Sequence, residues 1–228
     1  MKTYDIILFD LDDTLFDFAK AEQQAFYEVF RAHGLLANLT QYEKSYENIS
    51  NVLWKALEKS EITLTELGSE RFRQLFLLHT IELDPVAFNE AYLTCLGKQT
   101  DLVEGAERVI HALSHKRLAV ITNGYTAVQT ARIANSPLNG TFEQLIISES
   151  TGFQKPHSGI FDDAFNKLQI TEKSNVLIVG DSLTSDIQGG LNYGIATCWF
   201  NPYEKENHTS FTPTYEVRKL EDLLEIVR

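Results

Sequence analysis

The sequence predicts an α/β protein: a parallel-sheet core with an all-helical domain inserted after its first strand. Three observations point there. Short apolar runs such as Ile6–Phe9, Leu118–Ile121 and Val176–Val179 each end abruptly in polar residues, as strands buried on both faces do. After Gly105 such runs alternate with helical periodicity, which implies right-handed parallel crossovers. Between the first run and Gly105 there is helical periodicity alone.

Taken in order, Ile6–Phe9 is the first strand, and Asp10-Leu11-Asp12-Asp13-Thr14 follows it. Asp17 then caps a helix with Phe18, Ala21, Ala25, Phe26, Val29 and Phe30 on one side and Gly34 at its end. Thr40 with Glu43 reads as a capping box for a second helix through Tyr46, Ile49, Leu53, Trp54 and Leu57. Thr63 with Glu66 repeats the signal before Leu67, Phe72, Leu75 and Phe76. Asp84-Pro85 opens a fourth helix, which Gly97 ends. The core then resumes with a helix over Ala106–Leu113 and a strand over Leu118–Ile121 that ends in Thr122-Asn123-Gly124. A helix near Ala127–Ala134, a strand at Leu145–Ile147 and a helix over Ile160–Leu168 come next. The strand Val176–Val179 ends in Gly180-Asp181, and a helix over Ile187–Tyr193 follows. A strand at Ala196–Phe200 and a helix over Leu220–Val227 close the chain. The expected division is an α/β core of residues 1–15 and 101–228 and a helical cap of residues 16–100.

The strand ends carry the chemistry. Asp10 and Asp12 are two apart, so in extended chain they project to one side. One carboxylate can attack phosphorus while the other gives a proton to the leaving oxygen. Asp13 points the other way, toward the next turn. Carboxylates crowded at the carboxyl end of a parallel strand call for a divalent cation, and hard oxygen donors suit magnesium. Thr122, Asn123 and Gly124 offer a hydroxyl, an amide and a pliant backbone to phosphate oxygens. A lone Lys-Pro is most often a solvated loop; the functional reading is that Lys155, its backbone held extended by Pro156, would keep Asp10 ionised and neutralise phosphoryl oxygens. Asp181 and Asp186 straddle a strand end and a helix start, the first to reach a metal, the second to hold metal-bound water or orient its neighbours.

The order of these pieces resembles the haloacid dehalogenase (HAD) superfamily of phosphohydrolases: DxD, then Thr-Asn, then Lys, then GDxxxxD. The resemblance implies a Rossmann-like core. It makes Asp10 the nucleophile and Asp12 the acid/base, with Asp10, the Asp12 carbonyl and Asp181 on Mg2+ and Asp186 behind them. It assigns phosphate to Asp10, Leu11, Asp12, Thr122, Asn123, Gly124 and Lys155. The cap's size and position resemble those of the phosphoglucomutase and phosphoglycolate phosphatase subfamily. Leu53-Trp54-Lys55, Ile62-Thr63, Arg71-Phe72, Gly180-Asp181-Ser182-Leu183-Thr184-Ser185-Asp186-Ile187, Cys198-Trp199-Phe200-Asn201-Pro202 and Pro213-Thr214-Tyr215-Glu216-Val217 resemble the noncanonical pyrimidine 5'-nucleotidase branch, whereas Ser60 stands where that branch has glycine. Ser182-Leu183-Thr184 and Cys198-Trp199 have no evident chemistry. The implied activity is a magnesium-dependent phosphomonoesterase on pyrimidine nucleoside monophosphates. Trp54, Tyr46, Phe72 and Tyr92 of the cap are candidates to stack on the base, against the alternative that they build the cap's core. The rival readings are a phosphatase of small sugar or glycolate phosphates and a β-phosphoglucomutase-like phosphotransferase. A dehalogenase has no use for Asp12, and a non-enzymatic domain no use for all four clusters.

Composition bounds the rest. The net charge of -12, with no basic cluster, excludes a nucleic-acid or anionic-membrane surface. No run is long enough to span a membrane, and the apolar start of the chain feeds straight into acids, unlike a secretory signal. Cys95 and Cys198, far apart, read as reduced thiols of a cytoplasmic protein. The partner is a small phosphate monoester, and a monomer meets the needs of that chemistry. His111 and His115, four apart, lack a third ligand and read as a solvated helix face; Gly189-Gly190 reads as close helix-to-sheet packing.

Overall fold

The computed structural model describes residues 3–227. It divides into two compact units: one runs to Phe18 and resumes at Thr100, and the other is Ala19–Gln99.

The first unit is built on a six-stranded parallel sheet: β1 (Ile6–Phe9), β2 (Arg117–Thr122), β3 (Gln144–Ile147), β4 (Val176–Gly180), β5 (Ala196–Phe200) and β6 (Tyr215–Val217). The strand order is β3-β2-β1-β4-β5-β6, so the order reverses between β1 and β4. In open α/β sheets the crevice at such a reversal, beyond the carboxyl ends of the strands, is where ligands bind. Phe9 of β1 lies level with Val120 of β2 and Val179 of β4, which sets Asp10 beside the ends of both neighbours.

Alternation along β1 divides the core. Ile7 and Phe9 join Val120, Val179 and Cys198 on one face, covered by Val109 and Ile110 of α5 (Ala106–Ala112) and Leu223 of α10 (Leu223–Ile226). Ile6 and Leu8 join Ile121 and Ile178 on the other, under Ile160 and Phe161 of α8 (Ser158–Lys167). Because both faces are covered, the strands read as unbroken apolar runs. On the second face α9 (Gln188–Tyr193) comes close, since a Cβ on Gly190 would sit 2.6 Å from Ile178 and Thr197 methyls. Gly190 thus serves helix-to-sheet packing, as expected, whereas Gly189 faces Phe161 of α8 and the Pro156 backbone.

Three details differ from the sequence reading. β6, only three residues long, is a sixth strand at the edge. A four-residue helix, α7 (Ser148–Thr151), follows β3 directly. The helical path after β4 starts at Leu183, four residues before Ile187, in a wide turn where the Ile187 amide reaches the Ser182 carbonyl at 3.1 Å. The chain leaves and re-enters this unit along one seam. Asp17 donates to the Asp101 carbonyl at 3.0 Å, Val103 donates to the Leu15 carbonyl at 2.9 Å, and Phe16 and Leu102 form an antiparallel bridge.

The second unit holds nearly all of α1 (Phe18–Ala32), then α2 (Leu39–Glu58), α3 (Leu64–His79) and α4 (Pro85–Leu96). Thr63 and Glu66 form the expected capping box, and Asp84 caps α4 ahead of Pro85. Thr40 does not cap α2. A short 3-10 turn at Leu36–Asn38 runs into the helix, which begins at Leu39, so Thr40 already lies inside it. The centre of this unit is aromatic: Phe26 on Phe30 with centroids 4.1 Å apart, Tyr46 on Phe72 at 5.5 Å, Phe72 on Tyr92 at 5.4 Å. Arg71 is buried among these rings, donating to Tyr46 Oη at 3.1 Å and Asn89 Oδ1 at 2.8 Å. Among the described residues no helix is long and apolar enough to cross a membrane.

Candidate active site

The turns after β1 and β4 and the loop before α8 bring Asp10, Asp181, Asp186 and Lys155 together. Lys155, 1% exposed, is the centre. Its Nζ donates to Asp10 Oδ1 at 2.6 Å, Asp186 Oδ1 at 2.6 Å and the Ile121 carbonyl at 2.7 Å. A lone Lys-Pro is ordinarily a solvated loop; here the lysine is buried against the ends of β1 and β2 by these three bonds. Asn123 fixes it there. The Asn123 Nδ2 donates to the Lys155 carbonyl at 2.9 Å, and the Lys155 amide donates to Asn123 Oδ1 at 2.7 Å. In this conformation the Asn123 side chain, expected at phosphate, braces the lysine's backbone.

Asp10, Asp181 and Asp186 each offer an oxygen within 4.8 Å of the others. Asp186 is fully buried; its Oδ2 accepts the Ser182 amide at 3.0 Å while Oδ1 faces Lys155. Room for it comes from Gly180, because a Cβ there would collide with the Asp186 carboxylate. Asp181 is held through its carbonyl, which accepts the Trp199 indole N–H at 2.8 Å. Trp199, without evident chemistry in the sequence, thus steadies an acidic residue of the site.

Electrostatics describe the same place. Burial pushes the Asp10 carboxyl up, Lys155 opposes that, and Asp186 and Asp181 add to it. Burial works against the Lys155 ammonium, but Asp10 and Asp186 more than offset it, and its pKa is raised. Burial, then the charges of Asp186 and Asp13, push Asp181 up to about 7. Asp10 and Asp186 face the one ammonium and Asp181 lies beside them, so the three acids when ionised carry two negative charges beyond it, the charge of one divalent cation. All-oxygen donors at this spacing suit magnesium, so these residues fit the metal.

A pH dependence follows. Folded Asp181 keeps its proton up to about 7, whereas its ordinary value is 3.8. Folding therefore takes up a proton between those values, and stability falls as pH rises through that window. A cation at the site favours the ionised form and cancels the loss. Magnesium is expected to raise the thermal unfolding midpoint more at about pH 8 than at about pH 5. Equal shifts at both pH values would contradict this account of the acidic group.

Asp12 faces elsewhere. Its side chain turns to α6 (Thr126–Ala134), where Gln129 Nε2 donates to Oδ2 at 2.8 Å and Arg132 pairs with Oδ1. Sequence reasoning missed Gln129 and Arg132. The available signal was two polar residues in phase with Val128 and Ile133 on the buried face of that helix. Thr122, fully buried, accepts from Gln129 Nε2 at 3.1 Å, and the Gly124 amide donates to Ser148 Oγ at 3.0 Å. Leu11 is buried, its carbonyl taken by the Leu15 and Phe16 amides at 2.8 Å each. Asp13 Oδ1 accepts the Phe18 amide at 3.2 Å and so caps the helix start, as its position suggested. His157 caps α8 by accepting the Gly159 amide at 3.0 Å. His111 faces Glu107 at 3.9 Å on the exposed face of α5.

The rings proposed for base stacking fare differently. Tyr46, Phe72 and Tyr92 are 2%, 0% and 0% exposed, and each packs on the others inside the helical unit. None presents a free face, so the core-building alternative describes them. Trp54 is partly buried, beside Leu53, Leu57 and Leu67. Cys198 is a buried thiol pushed up to about 12, and Cys95 is also unpaired.

Comparison with known proteins gives this geometry a family. The chain is 39% identical to the pyrimidine 5'-nucleotidase PynA of Streptococcus pneumoniae, over 97% of this chain and 94% of that one. It is 31% identical to the pyrimidine 5'-nucleotidase YjjG of Escherichia coli, over 98% of each. The magnesium-bound crystal structure of the HAD-hydrolase YfnB of Bacillus subtilis, which reveals interdomain movement, superposes with a TM-score of 0.92 at 37% identity, covering all of both chains. The model of the haloacid dehalogenase-like hydrolases matches residues 4–194, and with these full-length relatives it identifies the chain as a member of that hydrolase family.

Proposed function

We propose that this hydrolase is a magnesium-dependent phosphomonoesterase acting on pyrimidine nucleoside 5'-monophosphates through an aspartyl-phosphate on Asp10. The observation that carries the chemistry is the buried Lys155 ammonium, shared by Asp10 and Asp186 beside Asp181. The nucleotide preference rests on full-length likeness to two proteins named as pyrimidine 5'-nucleotidases.

Asp10 Oδ attacks phosphorus in line while the bond to the leaving oxygen breaks, and Asp12 gives that oxygen its proton. Asp12 then takes a proton from water as the water attacks phosphorus, which releases phosphate and restores Asp10. Lys155, already paired with Asp10, stabilises the phosphoryl oxygens at no reorganisation cost. Thr122, Gly124 and the main-chain N–H groups of Leu11 and Asp12 hold the other oxygens, and Asn123 acts through Lys155. Asp10, the Asp12 carbonyl and Asp181 would hold the metal, with Asp186 supporting them. When bound, the metal supplies charge neutralisation and orients the phosphoryl group.

Phosphate release with magnesium, at equal concentrations of deoxyuridine, thymidine and cytidine monophosphates, phosphoglycolate and glucose phosphates, tests the reading. Higher kcat/KM on the three nucleotides is expected. Equal or better values on the small phosphates would remove the nucleotidase assignment and leave a general phosphatase.

A further inference from the structure

We propose that Gln129 and Arg132 are positioning residues for Asp12, setting the orientation from which it protonates the leaving group. The proposal rests on the acid/base reading of Asp12. Gln129 is 2% exposed and Arg132 fully buried, and both project from α6, the helix that follows the Thr122-Asn123-Gly124 turn. Together they engage both oxygens of the Asp12 carboxylate, Gln129 Nε2 on Oδ2 and Arg132 on Oδ1. They are tied to each other as well, since Arg132 Nη1 also donates to Gln129 Oε1 at 3.2 Å. The two donors stand one helical turn apart, so their spacing is that of the helix and does not depend on a flexible loop.

Each donor is itself fixed. Gln129 Nε2 is shared with Thr122 Oγ1 at 3.1 Å, which links the acid/base residue to the phosphate turn. Gly124 leaves the amide its place, because a Cβ there would come 3.0 Å from Gln129 Nε2. The Arg132 guanidinium lies over the Phe16 ring at 4.5 Å. Phe16 accepts the Asp13 amide at 2.9 Å and forms a parallel bridge with Asp12, so the arginine and the Asp12 backbone share one anchor. A carboxylate on a turn between strand and helix is thus held from the side by a rigid element. With both oxygens accepting, Asp12 is held as the carboxylate. To act as the acid it carries on one oxygen the proton taken from water in the preceding turnover, and that oxygen turns from its helix donor to the leaving oxygen while the other keeps its donor.

The test separates proton donation from everything else by the leaving group. A nucleoside monophosphate expels an alkoxide that must be protonated, whereas p-nitrophenyl phosphate expels a phenolate that leaves unaided. The kcat/KM value covers steps up to departure of the leaving group. Gln129→Met and Arg132→Lys are expected to lower kcat/KM on the nucleotide by about 10- to 100-fold. On p-nitrophenyl phosphate they should change it less than about threefold, with KM little altered on either substrate. If Arg132→Lys fails to fold, Gln129→Met still decides. Equal losses on both substrates, or no loss, would overturn the positioning role. Asp12→Asn runs alongside. If it shows no leaving-group discrimination, the acid/base reading fails and takes the proposal with it. If it discriminates while the Gln129 and Arg132 variants do not, only the positioning role fails.

Discussion

Asp10→Asn is expected to lower phosphate release by about ten-thousand-fold or more while the protein stays folded. The change removes the attacking charge and one metal ligand but keeps the side chain's shape. Folding survives because the Lys155 ammonium retains Asp186 Oδ1 and the Ile121 carbonyl as partners. Burial and two neighbouring carboxylates already strain the Asp10 charge, so an amide there relieves repulsion in the metal-free protein. Thermal unfolding should show a midpoint at or above that of the parent, and acid-quenched samples should hold no phosphoenzyme. Near-normal turnover by this variant would end the covalent mechanism.

Lys155→Met is expected to have the largest effect on stability. It leaves Asp10 and Asp186 facing each other in a site that is 7% exposed at the first and closed at the second. Removing one partner of a buried ion pair typically costs about 3–5 kcal/mol, because the remaining charge is uncompensated. The loss should depend on pH in a defined direction. Burial and the charges of Asp186 and Asp181 raise the Asp10 carboxyl pKa in the folded state, unopposed once Lys155 is gone, so folding takes up a proton and stability is regained as pH falls. Urea unfolding should therefore place the variant far below the parent near neutral pH and closer to it in mild acid. Activity should be lost as well, since nothing else in the site carries that ammonium. An unchanged midpoint at neutral pH would show that Lys155 is not the counter-ion of these acids.

The sheet was legible because its strands are short apolar runs between polar ends, and β1, β2 and β4 lie where those runs lie. β6 was not, since Tyr215-Glu216-Val217 is too short for a periodic signal and covers only the sheet edge. The capping boxes split for a physical reason: Thr63 starts a helix from extended backbone, whereas Thr40 follows a 3-10 turn that already carries the chain into its helix. In the site, acids at strand ends could be read locally. The burial of Lys155 could not, because it depends on partners 145 and 31 residues away. Gln129 and Arg132 meet Asp12 across 117 and 120 residues, a distance at which helical phase says only that they face inward. The aromatic residues of the helical unit show the opposite limit: composition supplies rings, and only packing shows that Tyr46 and Phe72 are spent on each other.

The seam at which the chain leaves and re-enters the sheet unit has a consequence for how such proteins diversify. Leu15 and Val103, like Asp17 and Asp101, are joined by main-chain hydrogen bonds that belong to the sheet unit itself. The two ends are therefore held at neighbouring-strand distance whatever is threaded between them. Lengthening a loop whose ends are already clasped is cheap, about 0.6 kcal/mol per doubling. The eighty-one residues of Ala19–Gln99 are a graft on a closed stem, and evolution can trade one graft for another without reopening the sheet unit.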